Sequence, residues 1–299
     1  HRRITFAQAL GCNAASVVDY VFSAIASLSR CDNRNWRELD VGIIGCGEVG
    51  SRLAKRVLAL GMNCKIFDPL LPATHPLFGY LTDLETVLQQ DIVTVHTPLT
   101  RSGSWPTFHM LDASRMQLLG DKAILINAAR GEVIDGKALL HRIEQYPAFR
   151  VVLDAWEGEP VISNELLQKV SLGTPHIAGY SLQGKLNGTA MILQAFCENF
   201  ALAVPQHVFQ VTPEELDVAA VTGKDWQFLN ELILAAYDMG RDHQAMQSLL
   251  GANNTRENFD SLRRTYPERK EFNQCRVVDN NYSGTVLTDL KALGFLLDG

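Results

Sequence analysis

Apolar residues in this chain come as short uninterrupted runs that alternate with stretches whose apolar positions lie three and four apart. Val41-Gly42-Ile43-Ile44, Ile92-Val93-Thr94-Val95, Ala123-Ile124-Leu125-Ile126 and Val151-Val152-Leu153 are the runs. Each is short enough for a strand, and the lack of polar alternation predicts burial on both faces. After the first run, Val49, Leu53, Ala54, Val57 and Leu60 mark one face of a helix that Gly61 stops, and Cys64-Lys65-Ile66-Phe67 then forms another strand ending at Asp68. A further helix is predicted to begin near Asn13. Strands alternating with helices predict an α/β fold around a doubly wound parallel sheet, with ligands beyond the carboxyl ends of the strands.

The pattern changes after Val204-Pro205. A strand is predicted at His207-Val208-Phe209-Gln210-Val211, then an amphipathic helix through Trp226, Leu229, Leu232, Ile233 and Ala236. Further helices are predicted at 241–250, 256–265 and 284–295, with a strand at Arg276-Val277-Val278. These form a small second α/β unit with no paired carboxylates, metal-ligand spacing or phosphate loop.

Composition narrows the function classes. The 299 residues, 46% of them hydrophobic, are enough for one large core or two to three smaller ones. A net charge of −6 and a pI near 5.8 argue against a nucleic-acid or anionic-membrane partner, so an anionic ligand has to meet locally placed cations. No apolar run approaches the roughly 18 residues needed to span a bilayer, and no signal-peptide core is visible, which makes a cytoplasmic location the expectation. Cys12, Cys31, Cys46, Cys64, Cys197 and Cys275 form no CxxC pair and no cluster with histidine. Reduced thiols are expected, with neither a disulfide framework nor a metal site.

The first predicted strand runs directly into Gly45-Cys46-Gly47-Glu48-Val49-Gly50. In such a strand–loop–helix unit the first glycine permits the tight turn and the second lets backbone approach a pyrophosphate. The third lets helix and strand pack, and the phosphates sit at the positive end of the helix. An acid closing the second strand, here Asp68, completes a dinucleotide-binding fingerprint. Asp68 can accept from a ribose diol and repels a 2′-phosphate, and Pro69-Leu70-Leu71 offers no arginine to compensate, so NAD is favoured over NADP. Cys46, near a helix N-terminus, reads either as a thiol of lowered pKa or as a small residue filling a tight loop.

Chemistry-bearing residues gather just after the later strands: His96-Thr97-Pro98, Asn127-Ala128-Ala129-Arg130-Gly131, Asp154-Ala155-Trp156-Glu157-Gly158-Glu159-Pro160 and Thr174-Pro175-His176-Ile177-Ala178-Gly179-Tyr180. Singly, each has an ordinary structural explanation. Together they supply what hydride transfer from a 2-hydroxy acid requires. A base takes the hydroxyl proton, a cation holds the carboxylate, and an acid tunes the base. His176, Arg130 and Glu159 fit those roles in that order.

The glycine loop, "NAARG", "LDAWEGEP" and "PHIAGY" resemble the successive signatures of the D-isomer-specific 2-hydroxyacid dehydrogenase family. "GCNAASVVDYVFSA", "AWEGEP" and "HIAGYSLQGKLNGT" are similar to one branch of it, which acts on a phosphorylated D-2-hydroxy acid and carries an extra C-terminal domain. The resemblance implies a Rossmann domain, an NAD cofactor, a small-molecule substrate and a homodimer formed through the C-terminal unit. It implies that Arg130 and Glu159 are active-site residues and that His176 is the proton donor or acceptor. Gly45, Gly47, Glu48, Val49, Gly50, Asp68, Thr97, Ala128, Asp154 and Gly179 would line NAD, and Tyr180 would touch substrate. Glu157 is expected to be a surface residue and His96 a structural or adenine-side one.

The division this suggests is 1–14 as a remnant of a substrate domain, 15–178 as the NAD-binding domain, 179–204 as the return segment of the substrate domain and 205–299 as the dimerisation domain. In the family the cofactor domain is inserted into the substrate domain, and here only Arg3 to Leu10 precede "GCNAA". Much of the first half of the substrate domain is therefore expected to be missing, with low activity for the chain as it stands. Another member of the family, of phosphoglycerate or hydroxypyruvate type, and a non-catalytic NAD-binding module are the alternative readings. A solvated appendage is the alternative for the C-terminal unit.

Overall fold

In the computed structural model, which describes residues 6–205, 211–216, 226–278 and 284–297, the apolar runs form a parallel sheet of β1 (Val41–Ile44), β2 (Cys64–Phe67), β3 (Ile92–Val95), β4 (Ile124–Asn127), β5 (Arg150–Leu153) and β6 (Leu172–Gly173). Their order is β2-β1-β3-β4-β5-β6. β4 and β5 each sit one residue from the predicted bounds, because Ile124 pairs with both Ile92 and Arg150. β6 was not predicted. It is a two-residue edge strand beside Val152 and Leu153, too short to carry a pattern.

Side chains alternate across the sheet into two apolar layers. Ile43, Ile126 and Val152 join α1 (Ala14–Asp32) and α2 (Glu48–Ala59) on one face. Ile44, Val95, Leu125 and Leu153 join α3 (Leu84–Leu88), α4 (Ala113–Met116), α5 (Gly136–Gln145) and α6 (Asn164–Lys169) on the other. Helix α1 is buried along most of its length, including Asp19, whose carboxylate pairs with Arg56 at 2.5 Å. Such a helix is held by packing on every side rather than along one stripe.

The chain continues as α7 (Leu182–Asn199), β7 (Glu214–Leu216), α8 (Trp226–Ala236), α9 (Met239–Ala252), α10 (Arg256–Arg264), β8 (Cys275–Val277), α11 (Thr285–Leu293) and β9 (Leu296–Leu297). β7, β8 and β9 make a second parallel sheet. The predicted helices are present within a few residues of their expected bounds. Residues 207–210 of the predicted strand lie outside the described residues, and β7 was missed because Glu-Glu-Leu has no apolar run. This unit is no solvated appendage. Leu229, Leu232 and Ile233 of α8 enter the core around α1. Met246 and Leu250 of α9 and Phe259 of α10 enter the opposite core. The C-terminal helices thus complete both layers of the large sheet.

Candidate active site

The three glycines after β1 are required for three different reasons. Gly45 has φ +92, and a Cβ on it would lie 2.7 Å from the carbonyl oxygen of His96. A Cβ on Gly50 would lie 1.9 Å from the carbonyl oxygen of Gly45, so helix and loop meet backbone to backbone. Gly47 has nothing within 4 Å of its Cβ position, so the loop presents open space at the first turn of α2. That is the cradle a pyrophosphate fits, with unpaired helix-end N–H groups beside it. Asp68 closes the unit by accepting the Cys46 N–H at 2.8 Å and the Leu70 N–H at 3.0 Å. Burial pushes the Cys46 thiol up to about 11, which makes it the loop filler and not the activated thiol. Glu48 starts α2 and pairs with Arg52 at 3.3 Å.

Two adjoining hollows follow the carboxyl ends of the strands. The larger, about 800 Å³, takes in Gly45, Gly47 and Asp68. The smaller, about 360 Å³, takes in Val49, Ala128, Arg130, His176, Gly179 and Tyr180. They share His96, Thr97 and Pro98 and together form one elongated cleft. The buried Thr97 hydroxyl has no protein partner there, so an acceptor or donor from a ligand would satisfy it. His96 Nε2 lies 2.9 Å from the Thr94 hydroxyl, and burial pulls its imidazole down to about 3, so the ring is neutral where it lines both hollows. Arg115 also lines the larger hollow, tied to the Met110 carbonyl at 2.8 Å. The reading of Pro69-Leu70-Leu71 did not foresee this cation, which arrives from a distant helix.

Arg130 is held at the cleft by its own loop. The buried side chain of Asn127, at the end of β4, accepts the Ala129 N–H at 3.1 Å and donates to the Arg130 carbonyl at 3.0 Å. Gly131 follows, and a Cβ there would lie 1.9 Å from the Trp156 carbonyl carbon, so no larger residue lets the two loops approach. The Arg130 guanidinium is exposed and donates to the Ala129 carbonyl at 2.7 Å. Among the described residues no carboxylate pairs with it.

His176 takes φ +59, a left-handed conformation that histidine tolerates better than most residues and that recurs at functional sites. Asp154, at the end of β5, holds it there. The Asp154 carbonyl accepts the His176 N–H at 2.9 Å, and its carboxylate accepts Ile177 N–H at 2.6 Å, Ala178 N–H at 2.9 Å and the Thr174 hydroxyl at 2.7 Å. Burial pushes the Asp154 carboxyl up against the lowering effect of His176 and these bonds. Asp154 therefore lines the cleft with most of its acceptor capacity already committed to the loop.

Glu159 Oε1 meets His176 Nδ1 at 2.5 Å, and Glu159 Oε2 accepts the Trp156 N–H at 3.1 Å. The hydrogen bond to Glu159 raises the His176 pKa against burial. Burial opposes ionisation of Glu159, yet the bond and charge of His176 bring its pKa below the ordinary carboxylate value. Both shifts favour the ionised pair. With Nδ1 facing a carboxylate, Nδ1 carries the proton in the neutral ring and Nε2 keeps the lone pair.

Glu157 departs from its expected surface position. It is half-buried, 2.5 Å from His109 Nε2, and accepts the Gly136 N–H at 3.0 Å. Its partner is far away in sequence, so no local pattern announces the contact. Two polar residues that line the smaller hollow were missed as well. Asn13 lies against Gly179, where a Cβ would come within 2.2 Å of Asn13 Nδ2. Arg263 of α10 reaches the smaller hollow and donates to the Tyr180 hydroxyl at 3.0 Å.

Comparison with known proteins shows the family of the chain. Residues 21–178 match the model of the D-isomer specific 2-hydroxyacid dehydrogenase, NAD binding domain, and residues 212–294 match a domain of unknown function, DUF3410. The chain is 43% identical over 299 residues to erythronate-4-phosphate dehydrogenase of Proteus mirabilis (strain HI4320), covering 98% of this chain and 78% of that protein. It is 41% identical over 302 residues to erythronate-4-phosphate dehydrogenase of Cellvibrio japonicus (strain Ueda107), with the same coverage. Among solved structures, D-lactate dehydrogenase from Aquifex aeolicus, complexed with NAD and lactic acid, matches with a TM-score of 0.50 at 26% identity, over 62% of this chain and 66% of that one.

Proposed function

The chain belongs to the D-isomer-specific 2-hydroxyacid dehydrogenase family, and on that premise we propose that it oxidises the C2 hydroxyl of 4-phospho-D-erythronate to the 2-oxo acid. It is an NAD-dependent dehydrogenase. NAD, when bound, would supply the acceptor for the hydride that leaves C2. The glycine loop and the first turn of α2 would hold its pyrophosphate, Asp68 its adenosine ribose, and Thr97 and Ala128 the passage toward the nicotinamide.

The chain's own residues perform the rest. Arg130, free of any ion pair among the described residues, receives the substrate carboxylate and stabilises the charge that gathers on the C2 oxygen. His176 takes the hydroxyl proton at Nε2 while Glu159 fixes the ring through Nδ1 and favours the cation that results. Tyr180 closes the wall beside them. Carbon loses a hydride and oxygen loses a proton, which balances as a two-electron oxidation.

The observation that carries this reading is the 2.5 Å contact that Glu159 makes with His176, which lines the same hollow as Arg130, beside the glycine-loop cleft. The choice of substrate follows the relatives that bear the erythronate-4-phosphate name. We assign the reaction to pyridoxal 5′-phosphate biosynthesis in the cytoplasm, carried out by a homodimer formed through the C-terminal unit. Six free cysteines fit a reducing compartment, and among the described residues no helix is long and apolar enough to cross a membrane. The test is NADH formation with 4-phospho-D-erythronate, D-3-phosphoglycerate and D-glycerate offered separately. Preference for the first is expected, and equal or greater turnover of either other acid contradicts the assignment.

A further inference from the structure

The proposed substrate carries an anion at each end, and an acidic protein has to meet both locally. Among the described residues that line the smaller hollow, the arginine and lysine side chains are Arg130 and Arg263. With Arg130 given to the carboxylate, the terminal phosphate needs a second cation, and Arg263 has the required features. Its Nη2 donates to the Tyr180 hydroxyl, its Nε is buried with no hydrogen-bond partner, and no carboxylate of the described residues forms an ion pair with it. A guanidinium with this many unused donors offers the fork geometry that phosphate oxygens accept in pairs.

Its placement is fixed by the fold. Phe259, one helical turn earlier on α10, is fully buried in the same core cluster as Met246 and Leu250 of α9, so the helix face that anchors the C-terminal unit also turns Arg263 toward the cleft. Arg269, just beyond α10, is buried and donates to the Ala178 carbonyl at 2.6 Å, tying the same unit to the loop that carries His176. The Arg263 charge is close enough to lower the pKa of both His176 and Glu159.

Resting on the function proposed above, we infer that Arg263 binds the substrate phosphate, so that the C-terminal unit confers selectivity for phosphorylated over unphosphorylated hydroxy acids. The test is calorimetric binding of 4-phospho-D-erythronate and of D-erythronate to the NADH-loaded protein, for wild type, Arg263→Gln, Arg263→Lys and Tyr180→Phe. Arg263→Gln should weaken the phosphorylated ligand by roughly 10–100-fold while sparing D-erythronate and NADH. Arg263→Lys should recover part of the loss, and Tyr180→Phe should not reproduce the selectivity change. An unchanged ratio of the two affinities in Arg263→Gln, or equal loss of both ligands, overturns the inference alone. Wild-type protein with no preference for the phosphorylated acid overturns the proposed function and the inference together.

Discussion

Glu159 Oε1 lies 2.5 Å from His176 Nδ1, and the remaining Glu159 oxygen is held by the Trp156 N–H at 3.1 Å, so the carboxylate cannot swing away without breaking a second bond. The bond leaves the imidazole one free nitrogen and raises its pKa above the ordinary 6.5. A base in the oxidation direction must be neutral, so the rate should climb with pH through that raised value. Glu159→Gln removes the charge that favours the imidazolium. The acidic limb of kcat/KM should move to lower pH, and turnover should fall by about 10²-fold or more. An imidazole NMR titration with an unshifted midpoint in the variant would refute the coupling. The same pair bears on stability. The folded-state pKa of His176 is raised and that of Glu159 lowered. Its contribution is therefore present between the ordinary carboxylate and histidine values, is lost as pH rises through the raised value, and is lost as pH falls through the lowered one.

In the proposed function Asp68 governs cofactor choice. Replacing it with alanine removes a ribose acceptor, the charge that repels a 2′-phosphate, and the acceptor of the Cys46 N–H. NAD affinity should drop roughly 10-fold or more, and the preference over NADP should narrow. Fluorescence titration with NADH and NADPH reads both numbers. Unchanged discrimination would mean that Arg115 or another group sets the choice.

Gly47 and Gly50 should fail differently when each becomes alanine. At Gly50 the added carbon meets the Gly45 carbonyl, so thermal stability should fall by several degrees or the protein should not fold. At Gly47 the carbon enters open space, so the fold should survive with its melting temperature nearly unchanged while NAD binding weakens by at least 10-fold. A Gly47→Ala variant that binds NAD normally would show that the open space is not where the pyrophosphate lies.

The large sheet was legible because each buried parallel strand is a bare apolar run, and the motif residues followed because a doubly wound sheet brings loops at its carboxyl ends together. His176, Arg130 and Tyr180 share one hollow for that reason. What escaped sequence reading depended on packing between distant segments. Arg263 sits beside Arg264 near the end of the predicted helix, with nothing in the sequence to tell the two apart, and only the burial of Phe259 one turn earlier selects the inward side. Glu157 looked free because its partner His109 belongs to another loop. β7 has two glutamates in three residues, so its pairing with β8 has no signal of its own.

The most direct test of the account compares wild type with His176→Asn, following NADH formation from 4-phospho-D-erythronate and NAD while measuring NAD affinity in parallel. Wild-type protein should form NADH and the 2-oxo acid, at the low rate expected of the chain as it stands, and the variant should lose roughly 10²–10⁴ of that turnover with NAD affinity preserved. Turnover by the variant at the wild-type rate, or no NADH from wild type, would contradict the claim that this cleft carries out the oxidation with His176 as its base.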